Sequence, residues 1–189
     1  MKKTRLTQNS IRGRIRTWIE THSDKLGDNV LEVGSRRHVP GAWWVINNDL
    51  AKGRWTGIDM QEGDGVDIVA DIHSLPSDWR HSFTGILCSE VLEHVERPWV
   101  ALPKLVDVLI PGGTIVITTL QCFPVHGFPN DYYRFTESGL RVLLQDAGFV
   151  DIEVASAGEV IFKLDDHGNG SVVRKTPMHV FAIAKAPSA

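Results

Sequence analysis

The chain reads as short apolar runs, each ending on a polar residue or a glycine, with longer amphipathic stretches between them. Val30-Leu31-Glu32-Val33-Gly34 is one such run, and Trp55-Thr56-Gly57-Ile58 ends on Asp59. Val66-Asp67-Ile68-Val69-Ala70 ends on Asp71, and residues 84–87 lead into Cys88-Ser89-Glu90-Val91-Leu92-Glu93-His94-Val95. Runs of this length and content predict buried strands. Residues 114–119, rich in β-branched side chains, predict a fifth strand, and 150–156 and 178–184 predict two more. Three segments carry helical spacing instead. Residues 10–22 place Ile11, Ile15, Trp18 and Ile19 on one face, and 99–109 stop at Pro111-Gly112-Gly113. Residues 136–147 begin on Thr136 as N-cap and stop at Gly148. Residues 165–174 are polar and contain glycine, so an exposed loop is expected there.

Strands alternating with helices predict an α/β fold whose mostly parallel sheet is covered on both faces. A parallel sheet brings its strand ends to one edge, where ligands of open α/β sheets bind. The polar residues collect at that edge: Glu32, Asp59, Asp71 and Ser89-Glu90 close successive strands. Gly34 and Ser35 make a tight turn after the first strand, and a missing Cβ at Gly34 would let a ligand approach the backbone. Asp59, with Met60 beside it, can accept hydrogen bonds from both hydroxyls of a ribose. Asp71 and Ile72 pair a carboxylate with an aliphatic side chain, which suits an adenine ring. Each position alone is also explained by an ordinary turn or cap. Their placement at consecutive strand ends is the informative part.

The 189 residues are enough for one domain, and 42% hydrophobic with 23% charged residues is the make-up of a water-soluble globular chain. Residues 1–27 form a basic segment with an amphipathic helix, and 28–189 are expected to form the domain proper. No apolar run approaches the roughly 20 residues that cross a bilayer, and the N-terminus lacks the apolar stretch of a secretory signal. Cys88 and Cys122 are too few for a disulfide framework, so a reducing cytoplasm is the expected location. A net charge of −3 gives no general case for nucleic acid. Lys2, Lys3, Arg5, Arg12, Arg14 and Arg16 nevertheless all precede the first acid, Glu20, and could meet an anionic partner. Trp43-Trp44 could wall a planar substrate or form a homodimer contact.

The motifs Val30-Leu31-Glu32-Val33-Gly34-Ser35, Gly57-Ile58-Asp59, Ala70-Asp71-Ile72-His73-Ser74-Leu75-Pro76 and Ser89-Glu90-Val91-Leu92-Glu93-His94-Val95 occur in that order. Leu109-Ile110-Pro111-Gly112-Gly113, Asp131-Tyr132-Tyr133-Arg134-Phe135-Thr136 and Ala147-Gly148-Phe149 follow. In this order and spacing the chain resembles the class I S-adenosylmethionine-dependent methyltransferases of the type 11 domain group, over about residues 28–156. The resemblance implies a Rossmann-like sheet of seven strands, the last antiparallel, with S-adenosyl-L-methionine across the strand ends. It further implies Glu32, Gly34 and Ser35 near the methionine moiety, Asp59 and Met60 at the ribose, Asp71 and Ile72 at the adenine, and Ser89 and Glu90 beneath the sulfonium. One position departs from the family: Arg36 stands where a second glycine is usual. A variant loop, weaker cofactor affinity, or a guanidinium meeting the cofactor's carboxylate all follow as readings.

A hydroxyl or amine acceptor must lose a proton, and His126, His94, Glu90, Tyr132 and Tyr133 are the candidate bases, with the two histidines preferred. Arg134 either pairs with a neighbouring acid or binds an acidic acceptor. If residues 90–95 open a helix, Glu90, Glu93 and His94 fall at i, i+3, i+4 on one face. With His126 approaching, they would offer carboxylate and imidazole donors to a divalent metal. The function expected is methyl transfer to a small-molecule or sugar-like acceptor. The alternatives are a nucleic-acid or protein methyltransferase docking through the basic N-terminus, and a non-catalytic cofactor-binding or partner module.

Overall fold

The computed structural model describes residues 11–37, 53–127, 130–165 and 171–188; Trp43-Trp44 and the basic residues 2–5 lie outside them. Seven strands form one sheet in the order β3-β2-β1-β4-β5-β9-β6. They are β1 (Asn29–Val33), β2 (Arg54–Asp59), β3 (Ile68–Val69), β4 (Phe83–Ser89), β5 (Leu109–Leu120), β6 (Val150–Ala157) and β9 (His179–Lys185). β1 to β5 pair in parallel, while β9 runs antiparallel between β5 and β6. The expected Rossmann-like sheet with an antiparallel last strand is therefore present, and that strand lies inside the sheet.

Alternation along the strands builds two cores. Leu31, Ile86, Ile115, Ile117 and Ala182 face one side, beneath α2 (Pro98–Val108) and α3 (Glu137–Asp146), which contribute Leu102, Leu105, Leu140 and Leu144. Val30, Leu87, Val116, Phe181 and Ile183 face the other, where α1 (Ile11–His22) lays down Ile15 and Ile19. The helix read from residues 10–22 thus covers one face of the sheet. Thr136 caps α3 as expected, its hydroxyl accepting from Gly139 N at 3.1 Å, and Gly148 follows with φ +98°. No helix among the described residues is long and apolar enough to cross a membrane.

Four expectations about elements are corrected. Residues 165–174 do not form a simple loop: β7 (Val160–Asp165) and β8 (Ser171–Thr176) pair as an antiparallel hairpin flanking residues 166–170. The third strand is only two residues long. β5 starts at Leu109, with Pro111-Gly112-Gly113 forming an irregular bulge inside it, because Leu109 pairs with Phe83 and Thr114 with Gly85. Residues 90–95 do not open an α-helix, and only Leu92–His94 make a single 3-10 turn.

Candidate active site

The turn after β1 is pinned to β2. The N–H groups of Gly34 and Ser35 both donate to Ile58 O, at 2.9 and 3.0 Å. Gly34 has φ +71°, a region that favours glycine, and a Cβ there would lie 2.4 Å from Val91 Cγ2. The glycine is therefore required by the turn and by packing against the segment after β4. Ser35 is buried with no partner for its hydroxyl among the described residues.

The chain then runs along the β2–β3 loop. Arg36 donates to Gln61 Oε1, and Arg37 N donates to Asp64 O at 2.8 Å. The Arg36 guanidinium is thus engaged by the neighbouring loop, and of the three readings of this departure the variant loop is the one its contacts favour.

Asp59 ends β2 and accepts one hydrogen bond, from Gln61 N at 3.0 Å, through Oδ1. Met60 beside it is exposed. Asp71, past β3, accepts from His73 N at 2.9 Å and from His73 Nδ1 at 2.6 Å. Partial burial pushes its carboxyl up, but the two His73 hydrogen bonds and the imidazole charge outweigh that and hold it below the usual range. Ile72 sits in the main core at 7% exposure, which leaves little of its side chain for a ring to lie on.

Past β4 the backbone turns sharply. Glu90 has φ +56°, outside the right-handed helical region, and its N–H donates to Thr118 O at 2.8 Å, which ties it to β5. Ser89 Oγ lies 2.8 Å from Thr118 Oγ1. The Glu90 carboxylate turns to His179, with Oε2 3.0 Å from Nε2, while its buried Oε1 has no partner among the described residues. Glu93 points elsewhere: it is fully buried, and Oε2 accepts from Thr119 Oγ1 at 2.8 Å. Burial, with Glu90 adding repulsion, pushes the Glu93 carboxyl up to about 8 against the Thr119 hydrogen bond and Arg134. Burial also pushes the Cys88 thiol far up, helped by Glu93 and Glu90, so Cys88 is no nucleophile. The expected trio on one face is thus divided. Glu90 goes to β9, Glu93 to Thr119 within β5, and His94 to Asn130 in the segment after β5.

That segment carries a second group of side chains. His94 Nδ1 lies 2.6 Å from Asn130 O; a carbonyl only accepts, so Nδ1 carries the proton. His126 Nδ1 lies 3.1 Å from Asp131 Oδ2, which also accepts from His126 N at 2.8 Å. Two guanidinium hydrogen bonds from Arg134, at 2.5 and 2.6 Å, hold Asp131 far below the usual carboxylate range with help from His126. Of its two readings, Arg134 thus makes the pairing with a neighbouring acid. The two imidazole rings are 5.0 Å apart. Gly127, at φ +85°, makes this approach possible: a Cβ would lie 2.5 Å from His94 Cε1. The ligand atoms of Glu93, His94 and His126 all lie within 4.8 Å of one another. Tyr133 OH donates to Glu96 O at 2.8 Å, so it is occupied structurally, while Tyr132 is exposed. Thr118, Thr119 and His179 complete the edge; nothing local in the sequence marks them, because each becomes relevant only through strand pairing.

Residues 45–117 match the family model described as a methyltransferase domain. A SAM-dependent methyltransferase from Archaeoglobus fulgidus superposes with a TM-score of 0.65 at 18% identity, covering 92% of this chain and 94% of its own. The 1,6-didemethyltoxoflavin-N1-methyltransferase of Burkholderia thailandensis, solved with its substrate and S-adenosylhomocysteine, superposes at 0.62 with 15% identity, covering 95% and 80%. A [4+2]-cyclase, SpnF, shares the fold at 0.64 with 16% identity, covering 93% and 82%. No curated protein matches the chain. The chain thus has the fold of these solved methyltransferases, with the match to the methyltransferase-domain model confined to residues 45–117.

Proposed function

We propose that this chain binds S-adenosyl-L-methionine along the ends of β3, β2, β1 and β4 and transfers its methyl group to a hydroxyl or amine of a small-molecule acceptor. The observation that carries this reading is the row of strand ends itself. Asp71, Asp59, Glu32 with Gly34, and Ser89-Glu90 follow strands that are consecutive neighbours across the sheet. The residues fit the cofactor. Among the described residues, Asp59 has one carboxylate oxygen engaged, and the buried Oε1 of Glu90 has no partner. Asp59 would hold the ribose hydroxyls, and Asp71, kept ionised by His73, would accept from the adenine amine. Ser35, Ser89 and Glu90 would bound the methionine and sulfonium end.

The cofactor supplies a methyl carbon that is already strongly electrophilic, so the chain's task is alignment, exclusion of water and removal of one proton. The new bond joins the methyl carbon to the acceptor oxygen or nitrogen as the carbon–sulfur bond breaks; sulfur keeps the electron pair. His94 and His126 are placed beyond β4 and β5 with their Nδ1 protons directed to Asn130 O and Asp131. Each Nε2 lone pair can therefore take the acceptor's proton. Because the [4+2]-cyclase SpnF shares this fold, the test is product formation. Methyl-labelled S-adenosylmethionine is incubated with a panel of hydroxyl- and amine-bearing acceptors. Formation of S-adenosylhomocysteine with labelled product is expected. Tight cofactor binding with no turnover on any acceptor, polymers included, would leave the non-catalytic reading.

A further inference from the structure

We propose that His179 is a positioning residue for the charged end of the cofactor. By fixing the Glu90 carboxylate, it makes this edge favour the cationic sulfonium of S-adenosylmethionine over the neutral thioether of S-adenosylhomocysteine. The role rests on the methyltransferase reading above and falls to a residue outside every strand-end motif.

His179 opens β9, the strand enclosed between β5 and β6, and stands opposite Leu120 on one side and Ala157 on the other. The residue is buried, with the rings of Phe123 and Phe181 centred 6.5 and 6.4 Å from its own. Its Nε2 lies 3.0 Å from Glu90 Oε2. A carboxylate only accepts, so Nε2 carries the proton and donates. A donor fixed by strand pairing on both sides is placed more precisely than one carried on a loop.

Glu90 lacks that precision on its own. It sits in the turn after β4 at φ +56°, and its N–H to Thr118 O bond fixes the backbone but not the long side chain, which is 27% exposed. Among the described residues, Oε2 meets His179 and the buried Oε1 has no partner. The neighbouring acid does not share the task. Burial, with Glu90 adding repulsion, pushes the Glu93 carboxyl up to about 8, so Glu93 keeps its proton at neutral pH. A negative charge already held in place costs no rearrangement when a cation arrives. Methyl transfer leaves sulfur neutral with the electron pair, so this attraction ends with the reaction, while the adenine, ribose and amino-acid parts of the ligand are unchanged.

The test is calorimetric titration of the full-length chain with S-adenosylmethionine and, separately, S-adenosylhomocysteine, read as the ratio of the two affinities. His179→Phe keeps a buried ring and removes the donor. It should shift the ratio against S-adenosylmethionine at least about fivefold, a modest share of the attraction between unit charges near a protein surface. His179→Gln supplies an amide N–H at similar reach and should hold the ratio within about threefold of the wild type. Glu90→Gln should shift the ratio at least as far as His179→Phe, and combining the two should shift it no further, because the residues act as one unit. A purely structural His179 would weaken both ligands alike, so an equal loss in His179→Phe overturns the role. An unchanged ratio in Glu90→Gln overturns it too; that variant alters a partly exposed side chain and decides the matter if His179→Phe does not fold. A wild type that binds neither ligand refutes the cofactor reading and this role together. Binding of both, with a ratio that no variant moves, refutes only the positioning role.

Discussion

Replacing Gly34 with alanine forces two costs at one atom. The residue sits at φ +71°, where an L side chain costs about 1–2 kcal/mol. The new Cβ would also lie 2.4 Å from Val91 Cγ2, far inside van der Waals contact, and Val91 is packed against the main core. Relieving such an overlap in a packed site costs about 1–3 kcal/mol, so the total is about 2–5 kcal/mol. Against a domain stability of about 5–15 kcal/mol, most of the protein stays folded. Because Gly34 N and Ser35 N share the Ile58 carbonyl, displacing the turn also shifts the cofactor edge. Cofactor affinity should fall at least about tenfold. Urea denaturation of the wild type, Gly34→Ala, Val91→Ala and the double variant measures the steric share directly. The cycle should show favourable coupling of about 1 kcal/mol or more, since Val91→Ala removes the colliding methyl. Additive losses, or a single-variant loss below about 1 kcal/mol, would refute the geometry of this turn.

Two smaller predictions follow from individual contacts. Thr136→Ala removes the α3 cap and should lower stability by about 1 kcal/mol in the same denaturation assay, with Thr136→Ser restoring most of it. His73→Ala should raise the Asp71 carboxyl pKa, read by NMR titration; no change would mean that the contact does not hold in solution. The Asp71 pKa is depressed on folding, so its contribution is present above the ordinary carboxylate range and lost as pH falls through the folded value. With the side chain 43% exposed, that contribution is below about 1 kcal/mol.

The strands were legible where an apolar run met a polar stop, because burial on both faces and exposure at one edge leave that signature in order along the chain. β1, β2, β4 and the start of the turn at Gly34 follow from it. The hairpin β7–β8 did not. Its adjacent Ile161 and Phe162 are both exposed, as is Val173, so these residues do not alternate between a buried and an exposed face. The stretch from Glu90 to His94 was misread for a different reason. Its spacing is compatible with a helix, but Glu90 adopts φ +56° where its N–H meets Thr118 O, on a strand about thirty residues away. With Glu90 in a left-handed conformation, the side chains separate. Glu93 reaches Thr119, Glu90 reaches His179, and His126 takes the place beside His94 that Glu90 was expected to occupy. Strand-end acids could be found by position alone, whereas the pairing among Glu93, His94, His126 and Asp131 exists only in three dimensions.

The most direct test of the cofactor edge is calorimetric titration of the wild type and Asp59→Ala with S-adenosylmethionine and S-adenosylhomocysteine. The account predicts one site per chain in the wild type with a Kd in the micromolar range, and a loss of at least about tenfold when the ribose-facing carboxylate is removed. No heat from either ligand at about 1 mM with the protein folded, or equal affinity in Asp59→Ala, would contradict it.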